Sequence, residues 1–139
     1  MRGEIEPAEA AADYEAELRQ FFLPPRHRMA RFDLILLGLG EDGHTASLFP
    51  DSSALNEAAR WVAPSYVEKL HAHRLTLSLP LINNAAQVSF LIAGTSKAAI
   101  VREILSAQIR DYPAARIDPN PGCLSWFITQ DAAPAGAPA

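Results

Sequence analysis

One cysteine, Cys123, stands among the 139 residues. A lone thiol makes neither an intrachain disulfide nor a cysteine-based metal site, so a reducing, cytoplasmic setting is the expectation. Positive charge is scarce as well. Twelve Lys and Arg against sixteen Asp and Glu leave a net charge of -4. That balance argues against nucleic acid as a partner, which usually wants a basic face. No apolar run approaches the ~20 residues that cross a bilayer, so no membrane span is expected. Met1 to Pro7 carry charge where a signal peptide would place an apolar stretch. Besides His44, the histidines are His27, His71 and His73. They are scattered and lack a regular ligand spacing, so no metal is expected. What remains is a chain that is 49% hydrophobic, enough to build the core of one domain.

Residues 7–22 read as a helix. Pro7 suits the first turn, Glu9 and Asp13 sit early, and Ala11, Tyr14, Leu18, Phe21 and Phe22 form an apolar stripe. Pro24 and Pro25 end it. The basic stretch Arg26 to Arg31 reads as a solvated loop. Phe32 to Leu37 and Val88 to Ala93 are continuous apolar runs, the pattern of strands buried on both faces of a parallel sheet. Trp61 to Val67 is a further strand candidate. Arg74 to Leu79 alternates Leu75, Leu77 and Leu79 with Thr76 and Ser78, a half-buried strand pattern. Pro80 to Ala86 starts a helix or turn, and Lys97 to Gln108 reads as a helix. The proline-bearing segment 111–123 should be irregular, and Leu124 to Ile128 is a last strand. The Ala, Pro and Gly tail 132–139 should be disordered. Strands alternating with helices predict an α/β fold with a mainly parallel sheet and flanking helices.

Chemistry concentrates where the first apolar run meets Gly38, Gly40 and Gly43. Ligands of open α/β sheets bind beyond the carboxyl ends of strands. Asp42 and His44 stand there with only Gly43 between them. Histidine carries protons near neutral pH, and a nearby carboxylate fixes its tautomer or raises its basicity. The two residues are therefore a candidate acid/base pair. The same spacing also fits a tight Asp-Gly turn with a surface histidine, and spacing alone does not decide. Gly38, Gly40 and Gly43 formally match the G-x-G-x-x-G dinucleotide fingerprint, but Asp42 and His44 at those positions suit that use poorly.

The string Leu37-Gly-Leu-Gly-Glu-Asp-Gly-His-Thr-Ala-Ser-Leu-Phe-Pro50 resembles the signature of the 6-phosphogluconolactonases. The related glucosamine-6-phosphate deaminases share the Gly-x-Gly-x-Asp-Gly-His core but continue differently. Thr45-Ala-Ser-Leu-Phe-Pro50 is the lactonase version. His73-Arg-Leu-Thr-Leu-Ser-Leu-Pro80 resembles that family's Arg-x-Thr strand, and Gly94-Thr-Ser-Lys97-Ala its Gly-x-x-Lys-Ala turn.

The resemblance implies a Rossmann-like α/β fold and the hydrolysis of 6-phospho-D-glucono-1,5-lactone to 6-phospho-D-gluconate, in the pentose phosphate pathway. His44 would move the proton of the attacking water, and Asp42 would orient His44. Lys97, Arg74 and Lys69 would be the candidate phosphate or oxyanion contacts, with Gly40 and Gly43 lining the site. No cofactor is implied. Thr45 and Ser47 would cap the turn. The family's Gly-Gly-Ser-type phosphate loop and Asp-Glu-Arg segment do not occur in this sequence. Residues 1–131 are therefore expected to be the C-terminal portion of a single domain, incomplete relative to the full fold. Such a portion would be inactive or partner-dependent alone, and prone to self-association through exposed sheet surface. Sugar-phosphate deamination or isomerisation on the same scaffold is the alternative activity.

Overall fold

The computed structural model describes residues 1–24, 28–106 and 111–134. The first helix, α1, runs Pro7–Phe22. Its start is set by Glu6, whose carboxylate accepts from Ala8 N–H (2.7 Å), and by Pro7 in the first turn. Its end is set by Leu23 in the left-handed region, whose N–H donates to the Arg19 carbonyl (3.0 Å). The buried stripe is Ala10, Ala11 and Leu18. Phe21, expected in that stripe, is 79% exposed, because it lies one residue off the i, i+3, i+7 face that Ala11 and Leu18 define.

Two sheets follow. The strands β1 (Ile35–Leu37), β4 (Gln87–Ile92) and β5 (Cys123–Ile128) form a parallel sheet in the order β1-β4-β5. Its register pairs Leu37 with Phe90 and Phe90 with Trp126. The strands β2 (Val62–Val67) and β3 (Ala72–Leu77) form a separate antiparallel hairpin. Two further helices, α2 (Leu79–Asn83) and α3 (Ala98–Ser106), complete the α/β architecture. No helix among the described residues is long and apolar enough to cross a membrane.

One face of the parallel sheet carries Ile35, Leu37, Val88, Phe90 and Ile92. It packs against Ile100, Val101 and Ile104 of α3, and against Ile82, Ala63 and Leu55 from the segment joining β1 to β4. A second cluster holds Ala11, Leu18, Ala30, Trp61, Val62 and Leu81, and so fastens α1 to the hairpin. Glu15 locks that joint. Its carboxylate accepts from Trp61 N–H (2.8 Å), Val62 N–H (3.3 Å) and the Arg19 guanidinium (2.8 Å), which lies 4.2 Å over the Trp61 ring.

Several expectations need correction. The run 32–37 narrows to a three-residue strand, and Leu34 and Leu36 are exposed rather than buried, so only one face of β1 is covered. In β3 the alternation inverts. Thr76 and then Ser78 are buried while Leu75 and Leu77 are half-buried, because the hairpin's polar side faces the loop after β1. His73 lies on β3 beside Tyr66. Ala132, expected to open a disordered tail, is fully buried, and its N–H donates to the Thr129 carbonyl (3.0 Å). Within the basic stretch, Arg31 is not simply solvated but donates to the Pro121 carbonyl (2.5 Å). Arg26 and His27, the end of the expected helix at 107–108, and residues 135–139 lie outside the described residues. Segment 111–123 is largely irregular, as expected, with one short 3-10 turn at Pro113–Arg116. It is pinned by Asn83, whose amide donates to the Arg116 carbonyl (3.0 Å) and accepts from Asp118 N–H (2.9 Å).

Candidate active site

At the carboxyl end of β1 the chain enters a closed loop. Gly40 N–H donates to the His44 carbonyl (2.8 Å), and Gly43 N–H donates back to the Gly40 carbonyl (3.0 Å). The Thr45 hydroxyl, buried, donates to the Gly38 carbonyl (2.8 Å) and ties the far side of the loop to the strand end. Ser47 N–H donates to Thr76 Oγ1 (3.3 Å), which fastens the next turn to β3. Thr45 thus holds the turn through its side chain, and Ser47 does so through its backbone.

Two glycines are required here for different reasons. Gly43 has φ +77°, and a Cβ on it would lie 2.5 Å from the Tyr112 ring. Its carbonyl also accepts from Ala114 N–H (3.0 Å), so segment 112–114 closes over the loop. Gly40 has ordinary backbone geometry. A Cβ there would lie 2.0 Å from His44 Nδ1 and 2.6 Å from Asp42 Oδ1. The space that Gly40 leaves empty is the space the His44–Asp42 pair fills.

His44 Nδ1 lies 2.5 Å from Asp42 Oδ1, and the same oxygen accepts the His44 backbone N–H (3.2 Å). Burial pushes the Asp42 pKa up, but hydrogen bonds from the His44 ring and backbone, with the favourable electrostatics of that neighbour, outweigh it. The carboxyl is held below its ordinary value and stays ionised. The imidazole stacks on Phe49, centroids 4.1 Å apart with 23° between the planes. A carboxylate at Nδ1 and a ring against one face fix both tautomer and orientation, leaving Nε2 as the free basic nitrogen. About a third of each side chain (31% for His44, 33% for Asp42) remains exposed, so the pair is reachable. Chemically the arrangement can take a proton from a bound molecule and hand it back.

Lys97 joins this region. It closes a short 3-10 turn after Gly94 at the carboxyl end of β4, the strand paired with β1. Its ammonium lies 3.8 Å from Glu41, next to Asp42 in the loop. The structure does not bring Arg74 and Lys69 to His44. Arg74 is exposed on β3 and lines a pocket of about 290 Å³ with Met1, Arg2, Ile5 and His73. Lys69 sits in the hairpin's tip turn. That tip lies four rungs from the Ala63–Thr76 rung that touches the loop, about 13 Å along the strands. The hairpin reaches the loop through Thr76. Among the described residues no group of three or more His, Cys, Asp or Glu is placed to hold a metal.

Three contributors were not singled out from the sequence. Glu41 and Phe49 lie within the motif, but no spacing rule marks which motif residue will stack on His44 or pair with Lys97. Tyr112 lies in an irregular segment far along the chain, and no sequence pattern connects it to Gly43.

A family model described as glucosamine-6-phosphate isomerases/6-phosphogluconolactonase matches residues 1–126. The chain is 44% identical to the 6-phosphogluconolactonase of Homo sapiens over 132 residues, 94% of this chain and 50% of that protein. It is 45% identical to the 6-phosphogluconolactonase of Synechocystis over 129 residues, 91% of this chain and 52% of that protein. The crystal structure of 6-phosphogluconolactonase from Leishmania guyanensis superposes with a TM-score of 0.80 at 30% identity, covering 96% of this chain and 54% of that one. The chain therefore spans about half the length of the relatives it matches.

Proposed function

The chain belongs to the glucosamine-6-phosphate isomerase/6-phosphogluconolactonase family, and on that premise we propose that it carries the proton-handling part of a 6-phosphogluconolactonase active site. The supporting observation is the Asp42–His44 pair, oriented by a carboxylate at Nδ1 and a ring stack on Phe49.

The substrate in this reading is 6-phospho-D-glucono-1,5-lactone, a cyclic ester. His44 Nε2 takes a proton from water, and the oxygen attacks the lactone carbonyl. The tetrahedral oxyanion collapses, the bond to the ring oxygen breaks, and His44 returns its proton to that oxygen. Product is 6-phospho-D-gluconate. Asp42 holds the ring and stabilises its protonated form between the two transfers. Lys97 contacts the phosphate or the oxyanion, exchanging its present partner Glu41 for the substrate. Gly40 and Gly43 shape the loop. Arg74 and Lys69 take part only if the completed site reaches them. The reaction needs neither metal nor cofactor. The half of the fold found in the relatives supplies the remaining substrate contacts, so the chain alone is expected to turn over slowly. The pathway setting is pentose phosphate metabolism in the cytoplasm, which the single thiol suits.

The test is lactone hydrolysis above the spontaneous rate, measured on this chain alone and on this chain joined to the unmatched half of the Synechocystis relative. In the joined protein, His44→Ala should lower kcat by roughly 10²–10⁴-fold with little change in KM. Lys97→Ala should mainly raise KM when Lys97 holds the phosphate, a contact made in ground and transition states alike, and lower kcat when it holds the oxyanion. An undiminished kcat in His44→Ala would remove His44 from the chemistry.

A further inference from the structure

The geometry of the Asp42–His44 pair runs through one peptide unit, the one that joins Gly43 to His44. Its N–H donates to Asp42 Oδ1 (3.2 Å), the same oxygen that meets His44 Nδ1. Its carbonyl accepts from Ala114 N–H (3.0 Å). A peptide unit is planar, so its two ends turn together. Whatever holds the carbonyl therefore holds the N–H, and with it the carboxylate oxygen against the imidazole. The loop's own backbone bonds use the Gly40 and His44 carbonyls and leave the Gly43 carbonyl to Ala114.

Ala114 is brought there by its neighbour Tyr112. Cδ1, Cγ and Cβ of Tyr112 stand 2.5, 2.8 and 2.9 Å from the point where a side chain on Gly43 would begin, so Tyr112 fills the space over that residue. Ala114 is fully buried in the core cluster of the parallel sheet, and Tyr112 packs against the same cluster. The Tyr112 hydroxyl donates to the Glu103 carboxylate. That bond, more than any other influence, raises the Tyr112 pKa above its ordinary 10.0, so the phenol keeps its proton and goes on donating near neutral pH. Glu103 lies on α3, which begins at Ala98, directly after Lys97. The helix carries Glu103 about 9 Å along its axis from Lys97.

We propose that Tyr112 is a positioning residue for the Asp42–His44 pair: with Ala114 it sets the plane of the Gly43–His44 peptide, and through Glu103 it ties that peptide to the helix that follows Lys97. The basic group at the end of β4 and the proton-handling loop at the end of β1 then keep a fixed relation, although the sequence separates them by some fifty residues. The effect on turnover rests on the lactonase reading, whereas the orientation of the ring does not.

The test reads the ring first and turnover second. In this chain, nitrogen-15 NMR of the neutral imidazole reports its tautomer, and His44→Gln identifies the signal. The parent should show a single tautomer, protonated at Nδ1. Tyr112→Ala should mix the two tautomers, while circular dichroism and the signal of His73 on β3 stay as they were. Tyr112→Phe keeps the ring and loses the tie to α3, and Glu103→Ala loses the tie alone. Those two should match, and the double variant should do no more than either, because each removes the same bond. In the protein joined to the Synechocystis half, Tyr112→Ala should lower kcat about 10–100-fold with KM little changed, since a misplaced base slows the chemistry without loosening the substrate. Tyr112→Phe and Glu103→Ala should each lower kcat about 2–10-fold, the worth of one hydrogen bond. Should Tyr112→Ala fail to fold, the Phe and Glu103 variants decide. A single Nδ1-protonated tautomer in a folded Tyr112→Ala, additive losses in the double variant, or a rise in KM without a fall in kcat would each overturn the proposal. Mixed tautomers in Tyr112→Ala beside an undiminished kcat in His44→Ala would instead sink the lactonase reading and leave Tyr112 as the residue that orients the pair.

Discussion

The hairpin with α1 and the three-stranded parallel sheet reach stability by different routes. A two-stranded hairpin is marginal by itself, yet here it is finished locally. One helix covers it, Trp61 is sealed beneath Arg19, and Glu15 satisfies the backbone where β2 begins. The larger sheet has the more extensive core, but its two crossovers leave one face without a lid. Local closure needs only neighbouring sequence, whereas closing a parallel sheet needs chain arriving from both directions.

The largest expected effect lies in the cores. Trp61→Ala in the hairpin unit and Phe90→Ala in the sheet should each cost about 3–5 kcal/mol, since both side chains are fully buried. Chemical denaturation checks this, and a mild loss for Trp61→Ala would break the claim that the hairpin unit is closed. The Glu15 lock comes next. Burial opposes its charge, but hydrogen bonds from Arg19, Trp61 and Val62 and the Arg19 charge prevail, and its pKa falls below the ordinary 4.5. A depressed carboxyl stabilises the fold above its unfolded pKa, and that contribution is lost as pH falls through the folded value. Glu15→Gln should therefore cost about 1.5–3 kcal/mol at pH 7, with the gap to the parent chain narrowing below about pH 4.5. Denaturation midpoints across pH 3–7 sharpen the comparison, and a gap that does not change with pH would dissolve it. The smallest effect belongs to the bare face. Phe127→Ser should shift stability by no more than about 0.5 kcal/mol, because its side chain is exposed. A large loss there would mean that the face is already covered within this chain.

Elements governed by local rules were legible in the sequence. The start of α1 follows from Pro7 and its end from the prolines that begin at Pro24, and the parallel strands follow from their apolar runs. The Asp-Gly-His loop at a strand end was legible for the same reason, since glycine and strand signals are local. What escaped depends on distant partners. Leu75 and Leu77 were expected inward from their alternation with Thr76 and Ser78, but the register with β2 turns Thr76 toward the loop. Leu34 and Leu36 look like core to any windowed pattern, because the run cannot tell which crossovers will arrive to cover it. Arg74 and Lys69 were grouped with Lys97 as basic residues near family-like strings. Only the fold separates Lys97, at a strand end beside β1, from Arg74 within β3 and Lys69 at the hairpin tip.

Gly40 carries a consequence for anyone reading variants of this gene. Every single-base change of a glycine codon that yields another amino acid installs a Cβ, and a Cβ at this position enters the volume of the His44 ring. Since Gly40 has an unstrained backbone, the loop itself can tolerate the change, and it is the imidazole that must swing away from Asp42. The His44–Asp42 contact can thus be lost with Asp42, Gly43 and His44 all unaltered. A genotype scored as functional because its Asp-Gly-His string is intact is scored on the wrong letters; the residue four places ahead of the histidine has to be read with them.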